Sequence, residues 1–454
     1  MGTKNKKPII IDKLTASDFP LAVRHIWSNA SGADMNMQLA LALTSIVCFS
    51  GLSPRLRVKY TFDFVADMVL LNLICIGHSG TGKNLINWLV NLLMKAQIIR
   101  DQEERLKLRE AKEQEDAEGG KGKNKKRKKE VLVAIRFLQK FTLPVAVKYC
   151  DFMYRRYGDW MPFFLYGSEF GSFTENRRGN AEYQSVARSS FSATEWYSRD
   201  TLYQDGYNAM VNMNWCSVMC GQDQALDKYI DKNGVVEGDA GRQILVMLSE
   251  NLGEPASTIR PLDEAQMRDI NATIGKLMAE TYTDDDQLMP THLVDMQWLD
   301  KDVNRWCDQT REQILKNGSL AMNSYYVRAS LSSFRICTTL YHLWGEENPT
   351  EEGMKVEDVQ KRVRRCYYFF AQLILDNAMA RWGKIYEANM PKDEEAVKKP
   401  TLYDQMPQRF TRDMLRDEIR KLELGTPARL FIFKWMKKKW IYEVEKDVYE
   451  KLYG

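Results

Sequence analysis

The spacing of hydrophobic positions changes along the chain, and each change marks an element. Residues 15–52 read as helical: Ser17 and Asp18 offer a cap, and 35–49 (MNMQLALALTSIVCF) form an apolar stretch suited to a buried helix. Residues 55–60 alternate as a strand does. Residues 68–76 (MVLLNLICI) are almost continuously apolar, which predicts a strand buried on both faces of a parallel sheet. A glycine-rich segment, GHSGTGKN, follows at once over 77–84, and helical spacing resumes over 85–99. Two further short buried strands are expected at 163–166 and 215–220. The first ends in Gly167-Ser168-Glu169 and the second in Gly221-Gln222-Asp223.

Between these elements the composition shifts. Residues 100–130 are rich in acids and bases and pass through Gly119-Gly120 into KGKNKKRKK, which reads as an exposed, flexible insert. From about 255 to 390 the pattern is mostly helical. Residues 391–407 carry three prolines and much charge, as a linker does, and a winged helix is expected beyond them. Its two helices would span 411–422 and 427–437, and its first wing strand 440–444. The expected organisation is thus a helical N-terminal region over 1–60 and an α/β core over 61–255. A helical domain over 256–395 and a winged-helix-like domain over 396–454 would follow.

Composition narrows the classes. A hydrophobic content of 44% with 28% charged residues fits a globular protein rather than a disordered one. No uncharged apolar run of membrane-spanning length is expected, and the apolar stretch after the basic start is too short for a signal peptide. A cytoplasmic location is therefore expected. The eight cysteines include no CxxC pair and read as reduced buried thiols. A net charge of +4 does not by itself indicate nucleic-acid binding. The runs at 121–129 and 434–439 are concentrated enough to neutralise phosphates, or to serve as solvated faces.

The chemistry gathers at strand ends, where ligands of open α/β sheets bind. Gly77, Gly80 and Gly82 allow the backbone of Gly77-His78-Ser79-Gly80-Thr81-Gly82 to turn its amides around phosphate oxygens, with a helix N-terminus behind them. Lys83 would reach the terminal phosphates. Asn84 stands where Ser or Thr usually holds magnesium; its amide oxygen is a less ideal ligand. Glu169 is the candidate for a magnesium contact and for activating water, although Ser168 replaces the aspartate that commonly precedes it. Gln222 could orient the water. Arg242 could reach a phosphate as an arginine finger, in its own or a neighbouring subunit, or be a plain surface arginine. Asn176-Arg177-Arg178-Gly179-Asn180 reads as a basic turn, either solvated or facing DNA.

With these residues in place, the chain resembles a family of P-loop NTPases found in prophages and integrative elements, often as the helicase-like half of primase–helicase proteins. The resemblance spans about residues 25–250. It rests on Leu52-Ser53-Pro54, GHSGTGKN, FFLYGSEFGSF, MNWCSVMCGQDQAL and GDAGRQILVML. It implies a RecA/AAA-like P-loop core, with ATP and Mg2+ as cofactors and DNA as partner. It also implies a homo-oligomer, a ring for instance, with priming left to a separate primase or replication protein. By the resemblance Lys83 binds phosphate, Glu169 activates water, Gln222 ends the third strand, and Arg242 precedes the closing apolar run. That family tolerates Asn after the lysine. Ser168 still departs from its usual Asp-Glu, so a nucleotide-binding scaffold or switch with little hydrolysis is the second expectation. A small-molecule kinase fits less well.

Overall fold

The computed structural model describes residues 11, 13–118, 130–139, 141–170, 186–192, 196–199, 209–249, 258–351, 353–390, 402–403, 406–421, 427–437 and 440–452. The chain divides into two compact units, residues 1–389 and 390–454. The expected boundaries near 60 and 255 are therefore not unit boundaries, because N-terminal and C-terminal helices pack on the same sheet. Of the expected linker over 391–407, residues 391–401 and 404–405 lie outside the described residues, as does the basic turn at 176–180. Leu402 and Met406, by contrast, are buried in the core of the second unit and so are not linker.

In the first unit, helices α1 (Leu21–Asn29) and α2 (Met35–Leu52) lead into β1 (Leu56–Val58), β2 (Asp67–Met68) and β3 (Asn72–Ile76). Then come α3 (Lys83–Leu93), α4 (Lys95–Glu118), β4 (Phe137–Leu138), α5 (Leu143–Tyr157) and β5 (Phe163–Gly167). A two-stranded pair, β6 (Tyr197–Arg199) and β7 (Ala209–Val211), precedes β8 (Trp215–Gly221). Helices α6 (Asp223–Tyr229) and α7 (Lys232–Val236) connect β8 to β9 (Ile244–Met247). The remainder is α8 (Glu264–Ala279), β10 (His292–Val294), α9 (Asp300–Asn317), α10 (Leu320–Leu343), α11 (Val356–Ala378) and α12 (Lys384–Asn389).

Five strands form one all-parallel sheet in the order β4-β5-β8-β3-β9. Every residue of β3, β5 and β8 is buried, as continuous apolar runs require when both faces are covered. Helix α2 packs against β3, β8 and β9. Its approach is close enough that a Cβ on Gly51 would stand 2.4 Å from the Phe164 ring. α2 also corrects one expectation. It is an eighteen-residue helix without a charged side chain, long and apolar enough to cross a membrane. Inside the fold 89% of that stretch is buried, so its apolar surface already faces protein.

The charged segment after 100 is corrected as well. Its first part belongs to the long helix α4, whose Gln97, Asp101 and Glu104 form a buried stripe. Asp101 accepts the backbone amides of Arg136 and Phe137, and Glu104 accepts that of Ala134. Arg136 is also buried and donates to the carbonyls of Pro162 and Gly51 and to Gln97. These acids therefore hold the edge strand β4 rather than a solvated insert; residues 119–129 are outside the described set.

Burial pushes the Asp101 carboxyl up to about 6, against an ordinary value of 3.8. Between those values the folded state binds the proton more tightly than the unfolded chain. Stability is therefore expected to fall as pH rises from about 4 through 6. Asp101→Asn should lower stability overall, because an amide pairs less well with two backbone N–H groups, yet flatten that fall. Urea midpoints measured between pH 4 and 8 check this; an unchanged slope would clear Asp101 as its source.

The second unit packs α13 (Arg412–Lys421) and α14 (Ala428–Lys437) on an antiparallel sheet in the order β11-β13-β12. Its strands are Arg409–Thr411, Ile441–Glu445 and Val448–Lys451 in chain order. Trp435, Phe410 and Leu415 are buried in its core, with Trp440 packed against them. The tryptophans of the basic tail are thus structural. Phe433, by contrast, is 65% exposed, on a face of α14 that also presents Arg429, Lys434 and Lys437.

Candidate functional site

The glycine-rich segment leaves the carboxyl end of β3, the central strand of a β8-β3-β9 trio. Its first residue is fixed by the sheet: the Gly77 amide donates to the Gly221 carbonyl at 3.0 Å. A Cβ there would lie 2.5 Å from Thr81 Oγ1 and 3.0 Å from Leu248 Cβ, so only glycine allows the strand to turn this tightly. The Thr81 hydroxyl donates to the His78 carbonyl at 3.0 Å and closes the turn from inside. Gly80 and Gly82 have φ of +89° and +84°, a region L side chains rarely enter. Gly82 caps α3 without a side-chain hydrogen bond, which leaves the first amides of that helix available to an anion.

Lys83 is the first residue of α3. Its Nζ donates to the carbonyls of Gly77 and His78, the latter at 3.0 Å, so the ammonium lies across the mouth of the loop. Partial burial lowers its pKa from the ordinary value, while Cys220 and the carboxylate of Glu169 pull it back up. Asn84 is exposed one position further on.

Glu169 and Gln222 reach the same edge of the sheet because their strands are parallel to β3. Ile76 pairs with Gly221, which sets Gln222 beside the loop, and Gly167 pairs with Met219, which sets Glu169 one strand further. Two strand spacings place Glu169 roughly 10 Å sideways from the loop strand, with Gln222 between them. Both are exposed. Phe170 and Gly221 join the two strand ends; a Cβ on Gly221 would stand 2.0 Å from the Phe170 ring.

Arg242 is not brought to this edge. It ends a short turn, Ala240–Arg242, before β9 begins, and donates to the Gly238 carbonyl at 2.8 Å. The level of the loop on β9 is Leu248, whose amide donates to the Ile76 carbonyl. Six residues of extended chain, roughly 20 Å, separate Arg242 from it. Within one chain Arg242 therefore cannot touch a ligand at the loop.

Sequence reasoning missed the wall beside the loop. Lys83, Asn84 and Glu169 line a cleft of about 960 Å3 together with Asn87, Asn91 and Arg105. Asn87 accepts the Tyr166 hydroxyl at 2.8 Å and the Asn91 amide at 3.1 Å. A signal was present: asparagines at 84, 87 and 91 recur at helical spacing on a helix whose other face is apolar. Compared with known proteins, the chain matches no family model and no curated sequence.

Proposed function

We propose that the chain is a P-loop nucleoside triphosphatase of the helicase-like kind, taking ATP and Mg2+ and acting on DNA for a mobile genetic element. One observation carries this reading. A glycine loop with two left-handed residues ends a buried parallel strand and runs into a helix that begins with Lys83. On the same sheet edge stand a carboxylate, Glu169, and an amide, Gln222.

The residues present fit a triphosphate. The uncapped amides of α3 and the Lys83 ammonium are donors for phosphate oxygens, and the turn at Gly77 leaves no room for a side chain. Asn84 and Glu169 supply oxygen ligands of the kind Mg2+ takes. The metal would neutralise charge on the phosphates. Glu169 would take the proton of the attacking water and Gln222 would orient that water. Arg242 acts, in this scheme, only from a neighbouring copy, which is why a ring-like homo-oligomer accompanies it.

DNA would be met by the exposed basic and aromatic face of α14 in the second unit, whose two helices and three-stranded sheet suit a winged helix. Asn84 and the lack of an aspartate at Ser168 favour a second reading, a nucleotide-gated scaffold that hydrolyses poorly.

Steady-state ATP hydrolysis with Mg2+, with and without single-stranded or duplex DNA, separates the two. DNA-stimulated turnover is expected. Glu169→Gln should lower it by about 10^2- to 10^4-fold while leaving ATP binding in place. Tight ATP binding without turnover in the wild type would instead establish the scaffold.

A further inference from the structure

Four histidines occur in the chain, and two of them meet on one carboxylate far from the loop in sequence. His292 opens β10, which pairs parallel to β1, and its amide donates to the Arg55 carbonyl at 3.0 Å. His342 lies in the last turn of α10. Glu346 follows in the turn after that helix, where Gly345 has φ of +90° and Glu346 itself +54°. A Cβ on Gly345 would stand 2.4 Å from the Asn348 carbonyl oxygen, so the turn is tight and aims Glu346 back at the helix end.

The distances are those of a converging set. His292 Nε2 lies 2.6 Å and His342 Nδ1 2.7 Å from the same oxygen, Glu346 Oε1. All three atoms fall within 4.8 Å of one another. The other nitrogen of His342, Nε2, lies 2.8 Å from Glu280 Oε2, at the end of α8. His342 is buried, with 8% of its side chain exposed, whereas His292 is 51% exposed. The cluster forms part of the wall of a cleft of about 650 Å3, also lined by Arg55, Thr281 and Asp295.

We propose that His292, His342 and Glu346 form a binding site for a divalent transition metal, Zn2+ in the first instance, with Glu280 orienting His342. Two imidazole nitrogens and one carboxylate are the donor set of zinc sites that keep a coordination position open, here toward the cleft. Imidazole selects against Mg2+ and Ca2+, which take oxygen. Glu280 holds the proton on Nε2 of His342, and Nδ1 then presents its lone pair to the metal, the carboxylate–histidine–metal arrangement that fixes a ligand ring. A latch at the helix end would account for His342 and Glu346, four residues apart. It gives no role to His292, an exposed residue 54 positions from Glu346 that is delivered by a separate strand.

The test uses the full chain, stripped with a chelator and titrated with Zn2+ by calorimetry and with Co2+ by visible absorption. One equivalent is expected to bind, with a Co2+ spectrum of nitrogen–oxygen coordination. Glu280→Gln should weaken binding about 10- to 100-fold at unchanged stoichiometry. His292→Ala and Glu346→Gln should weaken it further. His292 is exposed, so its variant keeps the fold, which circular dichroism verifies. Absence of a stoichiometric site, or equal affinity in the wild type, His292→Ala and Glu346→Gln, would overturn the assignment.

Discussion

Lys83→Ala is expected to lower ATP turnover at least about 100-fold and to weaken ATP binding at least about tenfold. The ammonium already spans the Gly77 and His78 carbonyls at the mouth of the loop. A hydrogen bond to a charged group contributes about 1.5–3 kcal/mol, which corresponds to roughly ten- to a hundredfold in affinity. Loss of a preorganised donor for developing charge costs about 10^2–10^3 in rate. Because Lys83 is partly exposed, the urea midpoint should stay near that of the wild type, which separates lost chemistry from lost fold. Turnover persisting in the variant would remove the loop from the reaction.

The largest loss of stability is expected for Arg335→Met. Arg335 is buried in α10 and donates to the carbonyls of Leu70, just before β3, and Phe191, at 3.2 and 3.0 Å. It also donates to Asp67 at 2.9 Å and lies over the Phe191 ring at 4.5 Å. Burial lowers its pKa and Asp67 opposes that, so the pair survives on geometry and on the three hydrogen bonds the guanidinium donates. Removing Arg335 takes the guanidinium from a largely buried carboxylate and the donor from two carbonyls. The expected cost is about 3–5 kcal/mol by denaturant titration. Asp67→Asn added to Arg335→Met should recover part of it, since the buried negative charge that faced Arg335 is then gone. A single-variant loss below about 1 kcal/mol would show that this bridge between the helical layer and the sheet is dispensable.

Much of the sheet was legible because burial on both faces writes itself as unbroken apolar sequence: 163–166 and 215–220 lie on β5 and β8, and the second half of 68–76 is β3, whereas Met68 ends β2 in a separate sheet. The second unit was legible for a similar reason, as α13, α14 and the strand from Ile441 fall within a few residues of expectation. Two things were hidden. Strand β4 is only two residues long, and what holds it are acids on α4, so a charged stretch read as solvated when its partners were backbone amides. Nor could sequence say which end of a strand a residue occupies in space. Glu169 and Gln222 follow their strands and share the loop's edge, whereas Arg242 precedes β9 and faces the other way. The histidine cluster was hidden for a further reason: His292 and Glu346 meet only through the pairing of β10 with β1 and the turn after α10.

The measurement that bears most directly on the central claim is equilibrium binding of a non-hydrolysable ATP analogue to the full chain, with and without Mg2+, for the wild type and Lys83→Ala. One saturable site per chain, tightened by Mg2+ and weakened at least about tenfold in the variant, is the predicted result. No saturable binding by the wild type, or equal binding by both proteins, would contradict the assignment of the 77–84 loop to a nucleotide.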